Sequence, residues 1–464
     1  MYSTGEVLDQ YISDTLTSKN SVIQMLGIDR SSFYQILKGK RLPTSSQLRT
    51  LLDILNISES EKNHIRDIYM SDKLTTHSYN SRKNILKLLE TFKADSENET
   101  IQFGNPHIVY DKAKSDVFND KSDTKSTLLS NRHEINELIK HMLFSSLSEE
   151  SDQHISLFIP IQLLTKTSFF ETIELISNDS RSSHITYDHI INHPLRSNMI
   201  DNDFLADLTS YIGFLISSKA NIRSYYNLES ICDEGSPESL YPYYIITNEA
   251  LLLLGSKCET AVFTSDKVLI SAYSSAFNRL LNHITPIIES IDSIEDSVVT
   301  YLRSLPDSAR SYYITYNPGI SYLATDELVE AFISPELQDF YKAHFHAFQH
   351  LDYKEFITKE GLEEFMKNGV LSELGVNISS RGEDDFKYVS NLIAQRTNKN
   401  LFFIDTNVLP VSKKWTVLLV AHEKLFFVPL AKGNKYIATT DKNLVEAFTD
   451  FFENIEDDVV LCGM

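Results

Sequence analysis

Two short runs, 175 residues apart, constrain the fold of this chain more than any other feature. Thr264-Ser265-Asp266-Lys267 precedes an apolar helical pattern through Leu269, Ile270, Ala272, Tyr273 and Phe277. Thr439-Thr440-Asp441-Lys442 precedes the same pattern through Leu444, Val445, Ala447, Phe448 and Phe452. Upstream, Leu251-Leu252-Leu253 stands opposite Phe426-Phe427-Val428 at the same offset. Thr, Ser and Asp satisfy the free amides of a first helical turn, so both runs read as N-caps rather than ligand loops. A weaker echo lies at Thr325 to Phe332. So few echoes do not make a solenoid; they imply a duplicated module.

The segments around the repeat alternate between helix and strand periodicity. Glu134 to Leu147, Phe169 to Ile176 and Phe204 to Ile216 read as helices. His154 to Ile161 and His184 to Ile191 read as strands. Tyr243 to Thr247 and Ala250 to Leu254 read as a hairpin around Asn248-Glu249. The expectation is an α/β body of two related halves, 131–300 and 301–464.

Residues 1–72 differ in kind. Val7, Leu8, Tyr11 and Ile12 mark a first helix, and Ser18 opens a second that ends at Gly27. A third follows Asp29 and stops at Gly39. Pro43 blocks helix, Thr44-Ser45-Ser46-Gln47 reads as a capping box, and a fifth helix runs from Glu59 to about Met70. Residues 73–130 then read as a linker, partly disordered, with a short helix from Asn84 to Phe92.

Charge separates the two regions. The chain of 464 residues has 43 Lys/Arg against 64 Asp/Glu, a net of -21. Residues 1–70 hold 8 of each, so the whole deficit falls on the remainder. Yet Arg30 to Arg41 carries four basic residues and no acidic one. An acidic body repels phosphate, so contact with nucleic acid is expected through the N-terminal region only.

The order helix, glycine turn, helix, then Lys-Gly-Lys-Arg-Leu-Pro resembles the Cro/CI-type (xenobiotic-response-element) helix-turn-helix regulators. The residues that carry the resemblance are Ser18-Lys19, Gly27, Ile36, Leu37 and Gly39-Lys40-Arg41-Leu42-Pro43. It covers about residues 5–70 and implies a recognition helix lying in a major groove of double-stranded DNA. On that pattern Arg30, Ser31 and Gln35 take base-reading positions. Lys19 takes a phosphate position at the start of the preceding helix, and Lys38, Lys40 and Arg41 form a phosphate-clamping loop. Ser32 and Tyr34 are placed to touch backbone or bases. One departure is Ile23, where the family usually keeps a small alanine.

No catalytic set is apparent in the body. The halves resemble a duplicated phospholipase-D-like fold, whose chemistry needs His-x-Lys-x4-Asp. The nearest match, His422-Glu423-Lys424, has Pro429 in the Asp position, and the first half has Thr247-Asn248-Glu249 instead. His346 and His350 have an i, i+4 spacing that zinc can use, but no third ligand is apparent. Tyrosines at 241, 243 and 244, and at 312, 313 and 316, read as core or as a pocket lining. The three cysteines lack metal-like spacing, and no apolar run is long enough to span a bilayer. The expectation is therefore a cytoplasmic, homodimeric transcriptional regulator, not an enzyme. It needs no cofactor or metal and does not engage a membrane. Its body senses a small-molecule or peptide effector, dimerises, or both. A protein-interaction scaffold is the alternative, and an enzyme fused to a DNA-binding module a more distant one.

Overall fold

The computed structural model describes residues 3–15, 17–97, 126–148, 152–165, 167–192, 201–218, 220–227, 240–284, 286–291, 301, 304–306, 309–319, 325–332, 335–349, 351–373, 376–379, 387, 391, 401–430 and 436–455. The N-terminal region forms α1 (Thr4–Asp14), α2 (Lys19–Leu26), α3 (Arg30–Leu37), α4 (Ser45–Leu55) and α5 (Glu59–Lys73). Ser3, Thr44 and Ser58 each close a capping box on the helix they precede. The apolar faces meet in a core of their own, including Leu8, Ile12, Val22, Phe33, Ile36, Leu51, Leu52 and Ile65. Ile23 is half-buried against this core, so the helix crossing accommodates its bulk.

A 22-residue helix, α6 (Thr76–Glu97), follows α5. It is much longer than the helix expected at Asn84 to Phe92, and it is not a tether. Ile85, Leu88, Leu89 and Phe92 have the i, i+3, i+4, i+7 spacing of one helical face, and all four are buried in the core of the body. The rest of the expected linker, 98–125, lies outside the described residues.

The body is an α/β architecture. Its first half comprises β1 (Ser126–Leu129), α7 (Arg132–Ser145), β2 (Gln153–Phe158), α8 (Ile161–Leu164), α9 (Phe169–Ser177), β3 (Ile185–Asn192), α10 (Asn202–Ser217), β4 (Asn221–Asn227), β5 (Tyr243–Ile246), β6 (Leu251–Leu254), β7 (Ala261–Thr264) and α11 (Lys267–Leu281). The second comprises β8 (Pro286–Ile291), β9 (Arg310–Thr315), α12 (Asp326–Phe332), α13 (Pro335–Gln349), β10 (Asp352–Thr358), α14 (Lys359–Asn368), β11 (Val370–Glu373), β12 (Val376–Ser379), β13 (Leu401–Ile404), β14 (Trp415–Val420), β15 (Lys424–Pro429), β16 (Tyr436–Thr439) and α15 (Lys442–Asn454). β11 and β12 pair only with each other.

The other strands form one 14-stranded sheet in the order β1-β7-β6-β5-β2-β3-β4-β8-β16-β15-β14-β9-β10-β13. Its first seven strands and its last seven follow the same plan. In each, a parallel trio (β2-β3-β4, β9-β10-β13) abuts an antiparallel trio (β5-β6-β7, β14-β15-β16), with one further strand beyond it. The two related halves are thus present in the strand order itself. The second opens at β8, ahead of residue 301, and β1 already belongs to the first. Both are short strands without clear alternation, so neither signals itself in the sequence.

β4 and β8 meet antiparallel, with a register shift at Ser224/Tyr225 opposite Pro286, which has no amide to donate. The second half therefore repeats the first after a half-turn about the line crossing the strands, and the sheet faces exchange. α11 buries Ile270 and Phe277 against Tyr244, Ile246 and Leu251 on one face. Its counterpart α15 buries Phe448 and Phe452 on the other, where Ile245, Leu252 and the face of α6 also lie.

A polar chain crosses the core of the first half. Nε2 of His189 lies 2.7 Å from the Ile159 carbonyl and Nδ1 lies 3.1 Å from the Tyr211 hydroxyl, itself 2.7 Å from Ser224 Oγ. The Nε2–H tautomer satisfies all three: it donates to Ile159, and Nδ1 accepts from Tyr211. Burial pushes His189 down to about 4 from 6.5. A base whose pKa is depressed on folding contributes stability that is complete above its unfolded value. That stability is lost as pH falls from 6.5 toward 4, by on the order of 3 kcal/mol in all. The urea midpoint is expected to fall over this interval in the wild type and to fall less in His189→Gln. Parallel profiles for the two proteins would count against it.

Candidate nucleic-acid interface

The site is the outer face of α3 and the loop that leaves it. Phe33, Ile36 and Leu37 are buried beneath the helix. The i, i+3, i+4 rule then turns Arg30, Ser31, Gln35 and Lys38 outward, and all four are exposed. The guanidinium of Arg30 sits 5.8 Å from the ring centre of Tyr34, which is half-buried beside Phe33.

Asp29 starts the helix. Its carboxylate accepts from the Ser32 amide at 2.9 Å and from the Ser32 hydroxyl at 2.6 Å. The Ser32 hydroxyl, then its amide, hold the Asp29 carboxyl below its ordinary value. The donor proton of Ser32 is therefore engaged in the cap, which leaves its oxygen lone pairs as the unspent capacity.

Glycine shapes the exit from the helix. Gly39 has φ +64, the left-handed conformation that costs glycine nothing. Its amide donates to the Ile36 carbonyl at 2.9 Å, and the Lys40 amide donates to the Gln35 carbonyl at 2.9 Å. This pair of bonds is a Schellman motif, and the Arg41 amide also reaches Gln35, at 3.3 Å. Lys38, Lys40 and Arg41 are exposed on a loop whose backbone is thereby fixed. Pro43, buried, ends it.

Lys19 opens α2, but its ammonium lies 2.5 Å from Asp9 Oδ1 on α1. A phosphate there must compete with a carboxylate. The α2–α3 turn passes through Gly27 at φ +65. All nine site residues expected from the sequence thus lie on α2, α3 and the α3–α4 loop.

Three positioning residues escape the sequence pattern. Asp9 holds Lys19 across two helices, a pairing that no spacing rule reveals. Asp72 accepts from the Thr4 amide at 2.7 Å and hydroxyl at 2.8 Å, pinning the start of α1 to the end of α5. Gly5 lies where a Cβ would stand 2.1 Å from the Ile36 carbonyl oxygen and 2.7 Å from the Gly39 nitrogen. A glycine inside a helical pattern is itself a sign of close backbone approach, so for Gly5 a signal does exist.

The interface joins the body through α5 and α6. Asn63 Nδ2 donates to the Asn407 carbonyl at 2.9 Å, and the Tyr79 hydroxyl donates to Asp67 at 2.9 Å. On α6, Asn84 donates to the Asn202 carbonyl of α10, and Arg82 lies 5.0 Å from the ring centre of Phe451 on α15. One helix that follows the N-terminal module therefore touches both halves.

The remaining candidate residues lie in the body. His422 sits in the β14–β15 turn with φ +56, and Thr247-Asn248-Glu249 in the β5–β6 turn. His346 lies 3.1 Å from Asp326, both exposed, while His350 is outside the described residues. Among the described residues no three His, Cys, Asp or Glu side chains gather as a metal site, and no helix is long and apolar enough to cross a membrane. Tyr312 and Tyr313 are buried on opposite faces of β9 and serve as core.

No protein-family profile and no curated protein matches this chain. Solved structures similar to it include TrmBL2, an archaeal chromatin protein whose structure shows a novel mode of DNA binding. It is 11% identical over 58% of this chain and 100% of that one, with a TM-score of 0.23. Polyphosphate kinase from Porphyromonas gingivalis is 10% identical over 71% of this chain and 46% of its own, with a TM-score of 0.23. Phosphatidylserine synthase from Haemophilus influenzae Rd KW20 is 7% identical over 73% and 87%, with a TM-score of 0.22. Likeness at these TM-scores carries no argument about what this chain does.

Proposed function

We propose that the protein is a sequence-specific, double-stranded DNA-binding transcriptional regulator of the Cro/CI type. The observation that carries this reading is the α3 face. Arg30, Ser31 and Gln35 stand exposed on a capped helix of major-groove size, and Lys38, Lys40 and Arg41 follow on a rigid loop. Arg can bridge a guanine edge and Gln an adenine edge, while the loop cations take phosphates. One such module reads few bases, so the regulator works as a homodimer on a site with matching half-sites. The acidic body dimerises and answers a small-molecule or peptide effector, with no catalytic role. Contact of α6 with both halves supports this, because a shift between them would move α5 and the DNA-facing module.

The test is selection of bound sequences from a random DNA pool by the full chain, followed by titration of the enriched site. Arg30→Ala and Gln35→Ala should each cost about 10- to 100-fold on that site and relax preference at separate positions. No enrichment, or enrichment unaltered by both variants, overturns the reading.

The Asp9–Lys19 pair gives a gain-of-binding prediction. Asp9→Asn removes a carboxylate beside the phosphate path and frees Lys19, so affinity should rise about threefold at low salt and less at high salt. Titrations at two salt concentrations check it.

A further inference from the structure

Asn202, the first residue of α10, is held on α6 at two points. Its Nδ2 donates to the His77 carbonyl at 3.1 Å, and its own carbonyl accepts from Asn84 Nδ2 at 3.1 Å. The amide of its neighbour Asp201 donates to Asn443 Oδ1 of α15 at 3.2 Å. The helix that follows the N-terminal module, the first half and the second half therefore meet in one polar joint.

Ser81 lies inside that joint. It comes one helical turn after His77 and one before Asn84, so it shares their face of α6. It is 1% exposed. A serine inside a helix can bond back to the carbonyl four residues earlier. For Ser81 that carbonyl belongs to His77, and Asn202 engages it. Among the described residues Ser81 Oγ has no hydrogen-bond partner, and neither has the buried Oδ1 of Asn202. In the helix the His77 carbonyl also accepts from the Ser81 amide, so both atoms belong to residues bonded to one oxygen. A buried polar atom without a partner is costly, and native structures satisfy nearly all of them. Two such atoms beside one another call for one shared partner.

The surroundings restrict its chemistry. Asn202 Oδ1 only accepts, so the partner must donate to it, while Ser81 Oγ can donate or accept. An anion is repelled by that oxygen and by the carboxylates of Asp201 and Asp441, which cap α10 and α15. An ammonium is repelled by Arg82, 7% exposed at the next position of α6, and by the positive ends of the three helices that start here. A neutral hydroxyl meets every condition.

We propose that a neutral hydroxyl, of water or of a small neutral effector, bridges Ser81 Oγ and Asn202 Oδ1 and fixes α6 to the body. Its consequence for DNA rests on the regulator reading: the bridge then also sets where the DNA-facing module stands.

The test is amide hydrogen exchange of the full chain without DNA, read on peptides of α6. Ser81→Ala should speed exchange in the first three turns of α6 at least about threefold, because one end of the bridge is gone. In an Asn202→Ala background the same substitution should add nothing, since the two residues share the bridge and no direct bond. Unchanged protection of β14 and β15 confirms that each variant is folded. Without a bridge, Ser81→Ala removes an unsatisfied buried oxygen and adds a better helix former, so α6 would exchange more slowly or as before. That result, or equal acceleration in both backgrounds, overturns the proposal. Native mass spectrometry separates the two sources. A mass of 53.1 kDa per chain assigns the hydroxyl to water, and an added mass that both substitutions remove assigns it to an effector. A chain with the coupled exchange that selects no DNA sequence would remove the regulator reading and leave the bridge standing. A chain that selects DNA without the coupling would do the opposite.

Discussion

Alanine at Lys38, Lys40 and Arg41 together is expected to lower the affinity of the proposed dimer for its selected DNA site by about 1,000-fold at moderate salt, because each protomer would give up all three cations of the proposed phosphate clamp. The same change should flatten the plot of log affinity against log salt by about 5, since each neutralised phosphate adds roughly 0.9 to that slope. The effect should be nearly equal on selected and unrelated sequences, because phosphates carry no base identity. Arg30→Ala and Gln35→Ala should do the reverse, costing affinity on the selected site while sparing the salt slope. All five side chains are exposed, so neither set should alter stability. A triple variant that keeps the wild-type slope would show that the α3–α4 loop does not clamp phosphate. The recognition surface would then have to lie elsewhere on the chain.

The contrast matters because the acidic body would work against the proposed DNA binding. A charge of -21 on the residues beyond 70 repels phosphate over about a Debye length. On the proposed reading the loop cations oppose that field, and their fixed backbone lowers the entropy cost of placing them on DNA. That design is local, and local design is what a sequence displays. Gly27, Gly39 and Pro43 punctuate the motif, and the residues between them have one helical period. The capping box at Thr44 is a four-residue pattern, and the hairpin at Asn248-Glu249 is a turn between two apolar runs. Each is legible for that reason. The duplication is legible because Asp266 and Asp441 cap equivalent helices, and each cap sits in nearly the same four-residue run.

What stays hidden depends on contacts between distant segments. Thr76 to Glu97 is polar over much of its length, and its apolar face gains meaning only once α10 and α15 are beside it. β1 and β8 are four and six residues long and take their place from strands far away in the chain. The exchange of sheet faces follows from one antiparallel joint, β4 with β8, that no periodicity encodes. Lys19 is expected on phosphate, and it does sit at the start of α2, but its pairing with Asp9 is a meeting of two helices. In each case the residue type is readable and its partner is not.

Gly5→Ala separates local from tertiary control most sharply. Helix propensity alone makes alanine better than glycine by about 1 kcal/mol inside a helix. Packing opposes it. The new Cβ would stand 2.1 Å from the Ile36 oxygen and 2.7 Å from the Gly39 nitrogen, and both obstacles are backbone. α1 must therefore lift from the end of α3, in the same turn that forms the Schellman motif. The expected net result is a loss of about 2 kcal/mol in stability of the N-terminal module, at the level of overpacked cores. DNA affinity should fall by more than about 30-fold, because the cations of the loop move off their register by a large part of an ångström. Gly27→Ala is the matched control. Nothing lies within 4 Å of its Cβ position, so only the φ of +65 is strained, at about 1 kcal/mol, and α3 keeps its place. Chemical unfolding followed by titration of the selected DNA site distinguishes the two. If Gly5→Ala instead stabilises the module and binds DNA normally, α1 does not set the position of the recognition helix. The burial of Phe33, Ile36 and Leu37 in the core of the module would then hold it without the close approach of α1.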